Sequence, residues 1–305
     1  MDNNFDNLLN VSAVPQDDRT AAFIAESKNN RSRCYEMSEQ MTAAVATDGQ
    51  VFKQYLDVQS RFDRYTANNA LLILAQKPDA QKLGDYGYWR DQGVYVKRTE
   101  RNNPVLIMEP GKEYEREDGS TGTYYNAKKL YDISQTGMRG KVQEQPEADE
   151  RALVRALVSS PPANIVAAEP DQMPEDKGAL FEPEEGCIYV RKGMGAQEIF
   201  ASLTPELALA GFADGDKNYD RDVDAFHAYC ASYMICKKYG MDTSKFDFSR
   251  APEFFEGMEP QEVRGELSRA RDAVNAISSR MAKAMEQNRG ANTRQQPQQS
   301  REEAR

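Results

Sequence analysis

The chain is predicted to be α+β: N-terminal helices with a small antiparallel sheet, then a mostly helical part and a long C-terminal helix. Three observations carry this. Apolar residues recur at helical spacing up to residue 76, β-forming runs separated by polar turns occupy 93–134, and helical periodicity dominates again from 149 to 287.

The elements follow in order. Residues 1–17 read as a flexible leader. "TAAFIAESKNNRSRCYEMSEQMTAAVA" is helical and stops at Asp48-Gly49. A second helix puts Val51, Phe52, Tyr55 and Val58 on one face. "RYTANNALLILAQ" follows with Thr66 as N-cap, and Pro78-Asp79 closes it. "GVYVKRT" and "PVLIMEP" are predicted to pair as a hairpin across "ERNN", with a second turn at Asp118-Gly119 and a strand near 130–134. "KVQEQPEADE" (141–150) has linker composition. After a helix at 149–158 come the strand "GCIYVRKGM" and the helices "AQEIFASLTPELALAGF" and "VDAFHAYCASYMICKKYG", the last capped by Gly240.

Apolar residues at 263, 267, 270, 274, 277, 281 and 285 approach a 4-3 alternation. Such a helix either packs on its own domain or joins a partner or second copy. Residues 288–305 read as a disordered tail. The domain expectation is 1–17, 18–145, 146–255, 256–287 and 288–305.

With a formal net charge of −10, the chain is not a generally basic nucleic-acid binder, although a local basic patch stays open. No apolar run approaches the roughly 18–20 residues that span a bilayer, and the start has no signal-peptide pattern, so no membrane partner and a cytoplasmic location are expected. Cys34, Cys187, Cys230 and Cys236 form no CxxC pair and read as reduced apolar residues.

"SLTPELALAGF" (202–212) has the centre of His-Glu-Leu-Ala-His, the helical zinc motif of metallopeptidases, with Pro205 and Leu209 at the histidine positions. Two imidazoles at i and i+4 must face one metal, with the intervening Glu as general base. The chain has one histidine, His227, so it cannot build a two-His site by itself. Thr204-Pro205-Glu206 also fits an ordinary helix start: Thr as N-cap, Pro at N1 and an acid in the first turn. "DGDKNYDRDVDAF" spaces acids as a calcium loop would, but Tyr219 and Ala225 stand where Gly and Glu are required; it reads as a solvated acidic loop.

Between Arg61 and Arg101 lie eight Lys/Arg against five acids, interleaved with Phe62, Tyr65, Tyr86, Tyr88, Trp89 and Tyr95. Aromatic faces stack single-stranded bases while cations follow the phosphates; the same residues could equally be core and solvated charge.

Two stretches resemble one family. The helix of 65–76, Tyr86-x-x-Trp89, Gly93-x-x-Val96-Lys97, a strand ending at Pro110 and "DISQT" (132–136) occur in the order found in the N-terminal single-stranded-DNA-binding domain of ArdC-type antirestriction proteins, over about 75 residues. The family's Lys-Gly-Glu-Lys-Gly turn is replaced by Lys97-Arg98-Thr99-Glu100-Arg101. That family continues into a zinc-peptidase-like domain, and "CIYVRKGM", "TPELALAGF" and "SYMICKKYGMD" follow its order. Alignment on Cys236–Asp242 puts Tyr229 where an acidic third ligand would fall; Asp224 is the nearest acid upstream.

The resemblance implies a non-catalytic single-stranded-DNA-binding protein of a bacterial mobile element or phage. It also implies a degenerate metallopeptidase-like domain in which Glu206 is vestigial, with no metal and no cofactor. Trp89 is the leading stacking candidate, with Tyr65 and Tyr95 behind it. Arg64, Lys97 and Arg98 are phosphate candidates, and Asn68 and Asn69 are polar groups able to hydrogen-bond in the groove. The alternative is a protein-binding pseudo-peptidase, an adaptor whose cleft holds a peptide by β-addition or a docked helix.

Overall fold

The structure is a computed structural model that describes residues 18–116, 118–137, 149–216 and 219–294. The expected leader, most of the linker and the end of the tail lie outside these residues.

The chain opens with helices α1 (Asp18–Thr47), α2 (Gly49–Arg61) and α3 (Ala67–Gln76). Asp48 breaks the first two as expected and caps α2, accepting from Gln50 N and Val51 N at 2.7 and 3.2 Å. Gly49 is required by close approach: a Cβ there would lie 2.2 Å from Phe248 O, where a distant loop crosses the junction. Thr66 caps α3, its hydroxyl accepting from Asn69 N. Next come the two-residue strand β1 (Leu83–Gly84), helix α4 (Tyr86–Asp91), and strands β2 (Val105–Glu115) and β3 (Thr121–Asp132).

The first sheet is antiparallel, in the order β1-β3-β2. Its register corrects the expected hairpin. "PVLIMEP" does not pair with "GVYVKRT"; it pairs with 121–132, Val105 opposite Leu130, across the turn containing Gly119 at φ +78°. "GVYVKRT" contributes only a bridge from Val96 to Thr136 and a 3-10 turn at Arg98–Glu100. The physical reason is length: β2 and β3 offer nine paired positions, including the polar-looking "EYE" and "TGTYYN" runs.

Helix α3 docks on the β2 edge through two amides one heptad apart. Asn69 donates to Met108 O and accepts from Met108 N, both at 2.8 Å; Gln76 does the same with Leu106 at 2.8 and 2.9 Å. Alternate residues of a strand point their peptide groups to the same edge. The helix amides therefore replace a neighbouring strand at Leu106 and Met108, and the edge is satisfied there.

"DISQT" locks the other end of the sheet. Asp132 Oδ1 accepts from Gln81 N and Lys82 N, and its Oδ2 from Ser134 N. Gln135 accepts from Asp132 N and donates to Asn103 O. Burial opposes ionisation of Asp132, but these hydrogen bonds outweigh it and hold its pKa below the usual carboxylate range.

The second part comprises α5 (Glu150–Leu157), β4 (Asn164–Ala168), β5 (Ala179–Glu182), β6 (Cys187–Arg191), α6 (Ala196–Ala213), α7 (Arg221–Lys238), the short α8 (Ala251–Phe254) and α9 (Pro260–Arg294). Its sheet runs β4-β6-β5, β4 parallel and β5 antiparallel to β6. Gly240, at φ +74°, ends α7 as expected.

One apolar core spans both parts: Phe52, Tyr55 and Leu71 of the first helices share it with Phe200, Leu207, Tyr233 and Ile277. Polar ties reinforce the junction. Tyr233 Oη donates to Asp57 at 2.6 Å, and Asp63 takes Lys238 and the Ser278 hydroxyl. Cys34, Cys230 and Cys236 are buried; burial pushes the Cys34 and Cys236 thiols up to about 11, so they behave as apolar residues.

Helix α9 continues past 287 into the stretch read as tail. Its seam, Val263, Leu267, Ala270, Val274, Ile277 and Met281, is buried in this core. That corrects the idea of self-association through this seam, because the apolar stripe is already covered by α6, α7 and α5 of the same chain. Changing Val274 and Ile277 together to Asp is expected to leave a monomer by light scattering that melts far earlier, since charge enters a dry interior.

Candidate functional site

Two places carry the residues singled out by sequence. The first is α4 with its flanking loops. Asp85 caps α4, accepting from Tyr88 N at 2.8 Å, and sets the phase of the helix. In that phase Trp89 turns inward: it is 1% exposed, packs with Val94, Val96 and Tyr131, and donates Nε1–H to Tyr131 O at 2.9 Å. This corrects its assignment as a stacking platform, because neither ring face is open.

Its neighbours turn outward. Tyr86, Tyr88 and Tyr95 are 42%, 36% and 68% exposed. Lys82 Nζ stands 5.6 Å from the Tyr88 ring centre, and the Arg101 guanidinium 6.0 Å from that of Tyr86. Tyr95 and Arg98 are exposed, and no described residue pairs with Arg98; Lys97 donates to Ser134 O at 2.8 Å, which fixes the loop. Along the β2–β3 hairpin, Tyr114 and Tyr124 pair at 4.3 Å between centroids and Tyr125 is also exposed. The outward-pointing hairpin tyrosines were missed; the alternation in "TGTYYN" was the available signal.

The remaining candidates divide. Arg64 is exposed without a described partner. Tyr65 is half-buried against the main core, with its ring edge-on to Phe62. Asn68 accepts the Ser38 hydroxyl. Asn69 is buried and spends its whole amide on Met108, so its assignment to a ligand groove is corrected.

The second place is α6. The helix begins at Ala196, with Glu198 accepting from Gly195 N at 2.9 Å, so Thr204-Pro205 is not its start. Thr204 sits mid-helix and donates Oγ1–H back to Phe200 O at 2.6 Å. Pro205 occupies a helix interior, where it removes one backbone donor.

Glu206 is 6% exposed and fully engaged. Its Oε2 accepts from Phe181 N at 2.8 Å and from Arg221 Nη2 at 2.6 Å; the same Arg221 nitrogen reaches Phe181 O at 3.3 Å. Burial raises the Glu206 pKa, while the Phe181 amide and Arg221 pull it down; the net direction is up. In β5, Arg191 N bonds Gly178 O, so even-numbered residues turn their peptide groups to β6 and Phe181 turns its peptide groups to the free edge. Both of its free-edge peptide groups are thus taken by Glu206 and Arg221. Extended-peptide addition at this point of the strand, one mode of the alternative function, is closed.

The residues near a third-ligand position are also committed. Tyr229 accepts from Asp247 N at 2.8 Å. Asp224 is buried and takes Arg269, with Nε at 2.9 Å. His227 Nε2 meets Glu266, while Nδ1 lies 3.8 Å from Asp224 and has no hydrogen-bond partner. Burial lowers the His227 pKa despite Glu266, which favours the neutral ring. Among the described residues no group of three or more His, Cys, Asp or Glu is placed to hold a metal ion. Arg221, whose guanidinium lies where Glu206 needs a cation, was missed because it opens α7 within an acidic stretch fifteen residues away in sequence.

No family model matches the chain, and no curated protein matches it. Solved structures are similar to it, among them two of one protein. The Mn(II)-bound crystal structure of the antirestriction ArdC protein from the R388 plasmid is 13% identical, with TM-score 0.52, over 81% of this chain and 98% of that one. Its metal-free structure is 14% identical, with TM-score 0.46, over 72% and 86%. The α+β order described above therefore belongs to a fold already seen, and the chain has the fold of the ArdC antirestriction protein.

Proposed function

We propose that the chain is a non-catalytic single-stranded-DNA-binding protein of a bacterial mobile element or phage, acting in the cytoplasm, with an inactivated peptidase-like part. The observation that supports it is the α4 face, where Lys82 and Arg101 stand beside exposed tyrosine rings and Arg98 has no partner among the described residues. Bases stack on such rings while the cations follow phosphates. In this reading Tyr86, Tyr88 and Tyr95 take the role expected of Trp89, with Arg64, Lys97 and Arg98 on the backbone. No helix among the described residues is long and apolar enough to cross a membrane.

The test is fluorescence anisotropy with labelled single- and double-stranded 30-mers on the full chain, because one core joins the two parts. Single strands should bind in a salt-sensitive manner without marked sequence preference. Tyr86→Ala and Tyr88→Ala should each weaken binding by about 1–3 kcal/mol with the salt slope unchanged. Lys97→Glu with Arg98→Glu should flatten the slope by about 0.7 per lost contact. No salt-sensitive binding at low ionic strength would refute the proposal.

The inactive-peptidase half has its own check. Elemental analysis after dialysis against a mild chelator should find no stoichiometric zinc, and restoring Pro205→His with Leu209→His should not create peptidase activity. Glu206 remains held by Arg221 in that variant, and Asp224 by Arg269.

A further inference from the structure

A cleft of about 200 Å³ opens between α6 and α9, and Glu206 is not part of its lining. Leu207, Phe212 and Ile277 give it apolar walls, small residues keep it open, and Arg280 shares its lining. Arg280 is half-buried, its Nε–H is shielded from solvent, and among the described residues none of its guanidinium donors meets an acceptor. Burial lowers its pKa, and no acidic neighbour raises it. The one acid in the lining, Asp272, is held by Arg271 at 2.6 Å.

An unpaired cation in a partly dry site opposes folding unless something else meets it. The wall carries a second feature. Gly211 lies inside α6 with ordinary helical backbone, and nothing lies within 4 Å of a Cβ placed there. No packing demands a glycine, and helix propensity disfavours it; its effect is an open cleft.

We propose that this cleft binds a carboxylate carried on a short apolar stem, the guanidinium of Arg280 taking the carboxylate and Leu207, Phe212 and Ile277 the stem. A planar guanidinium matches a carboxylate with two parallel hydrogen bonds. The apolar walls select against a bare hydrated anion. A free short-chain acid and a peptide C-terminus share this chemistry, and the test separates them.

The full chain is titrated with hexanoate, hexanamide, inorganic phosphate and N-acetyl-leucine, following the methyl signals of Leu207, Ile277 and Ala273 by NMR. Hexanoate should give saturable shifts, with hexanamide and phosphate each about tenfold weaker or worse, as expected for loss of a charge-assisted bond or of the apolar stem. Tighter binding of N-acetyl-leucine than of hexanoate assigns the site to a peptide terminus, and the reverse order to a free acid. Arg280→Met should erase the preference for hexanoate over hexanamide and raise the melting temperature of the ligand-free protein. Gly211→Leu should block both ligands with the fold intact. The inference is overturned if hexanoate causes no shifts, if phosphate binds as well as hexanoate, if Arg280→Met keeps the carboxylate preference, or if that variant melts earlier.

Discussion

Trp89→Ala is expected to cost about 3–5 kcal/mol of stability, the range for removing a large buried aromatic. The ring is closed on both faces by Val94, Val96 and Tyr131, and its Nε1–H is the partner of Tyr131 O. Truncation leaves a cavity and strips that carbonyl of its donor, and the two losses act together at one point of β3. The measurement is chemical denaturation of the full chain, read alongside the DNA titration. Trp89→Ala should lower the denaturation midpoint strongly, whereas Tyr88→Ala, with its ring at the surface, should change it little and reduce binding instead. A Trp89→Ala protein of unchanged stability that had lost only DNA affinity would contradict the packing described here.

Arg221→Met is expected to cost about 2–3 kcal/mol at neutral pH, below the 3–5 kcal/mol typical of a broken buried pair because the arginine is about one-third exposed. It leaves Glu206 buried with the Phe181 amide as its remaining hydrogen-bond donor among the described residues. The pH dependence has a definite sign. The folded pKa of Glu206 is raised above its ordinary value of 4.5, so its contribution to stability is present below 4.5 and is lost as the pH rises through the folded pKa. Without Arg221 that pKa rises further. The deficit of Arg221→Met relative to the parent should therefore be greatest at neutral pH and shrink as acid protonates Glu206. Melting curves across this range decide it: a deficit independent of pH would mean that Arg221 acts by packing alone. Glu206→Gln in the Arg221→Met background should recover much of the loss at neutral pH, because an amide needs no cation.

The two results also separate what was legible from what was not. The helix of 67–76, its Thr66 cap and the α9 stripe were readable because helical periodicity and caps are local. "DISQT" was recognisable as a string, but its work, closing the sheet through Asp132 and Gln135, lies in bonds to residues 81, 82 and 103. The strand partners failed for the same reason. A β-run advertises its propensity but not the run that will lie beside it, so sequence alone points "PVLIMEP" to its nearest neighbour and not to 121–132.

By itself the sequence determined what depends on residue identity and count: one histidine, hence no two-His metal site within this chain, and apolar residues at both motif positions. It also determined the order of helices and β-rich stretches, which is set by local periodicity. Only the tertiary structure decided which of several similar aromatics are covered. Tyr88 and Trp89 are adjacent and alike in propensity, yet one is open and the other sealed, because Val96 and Tyr131 arrive from elsewhere in the chain to close over the indole. It decided too that the α9 stripe is used within the chain and that Glu206 has Arg221 as its cation. Burial and charge pairing are properties of what comes into contact, and sequence distance does not encode contact.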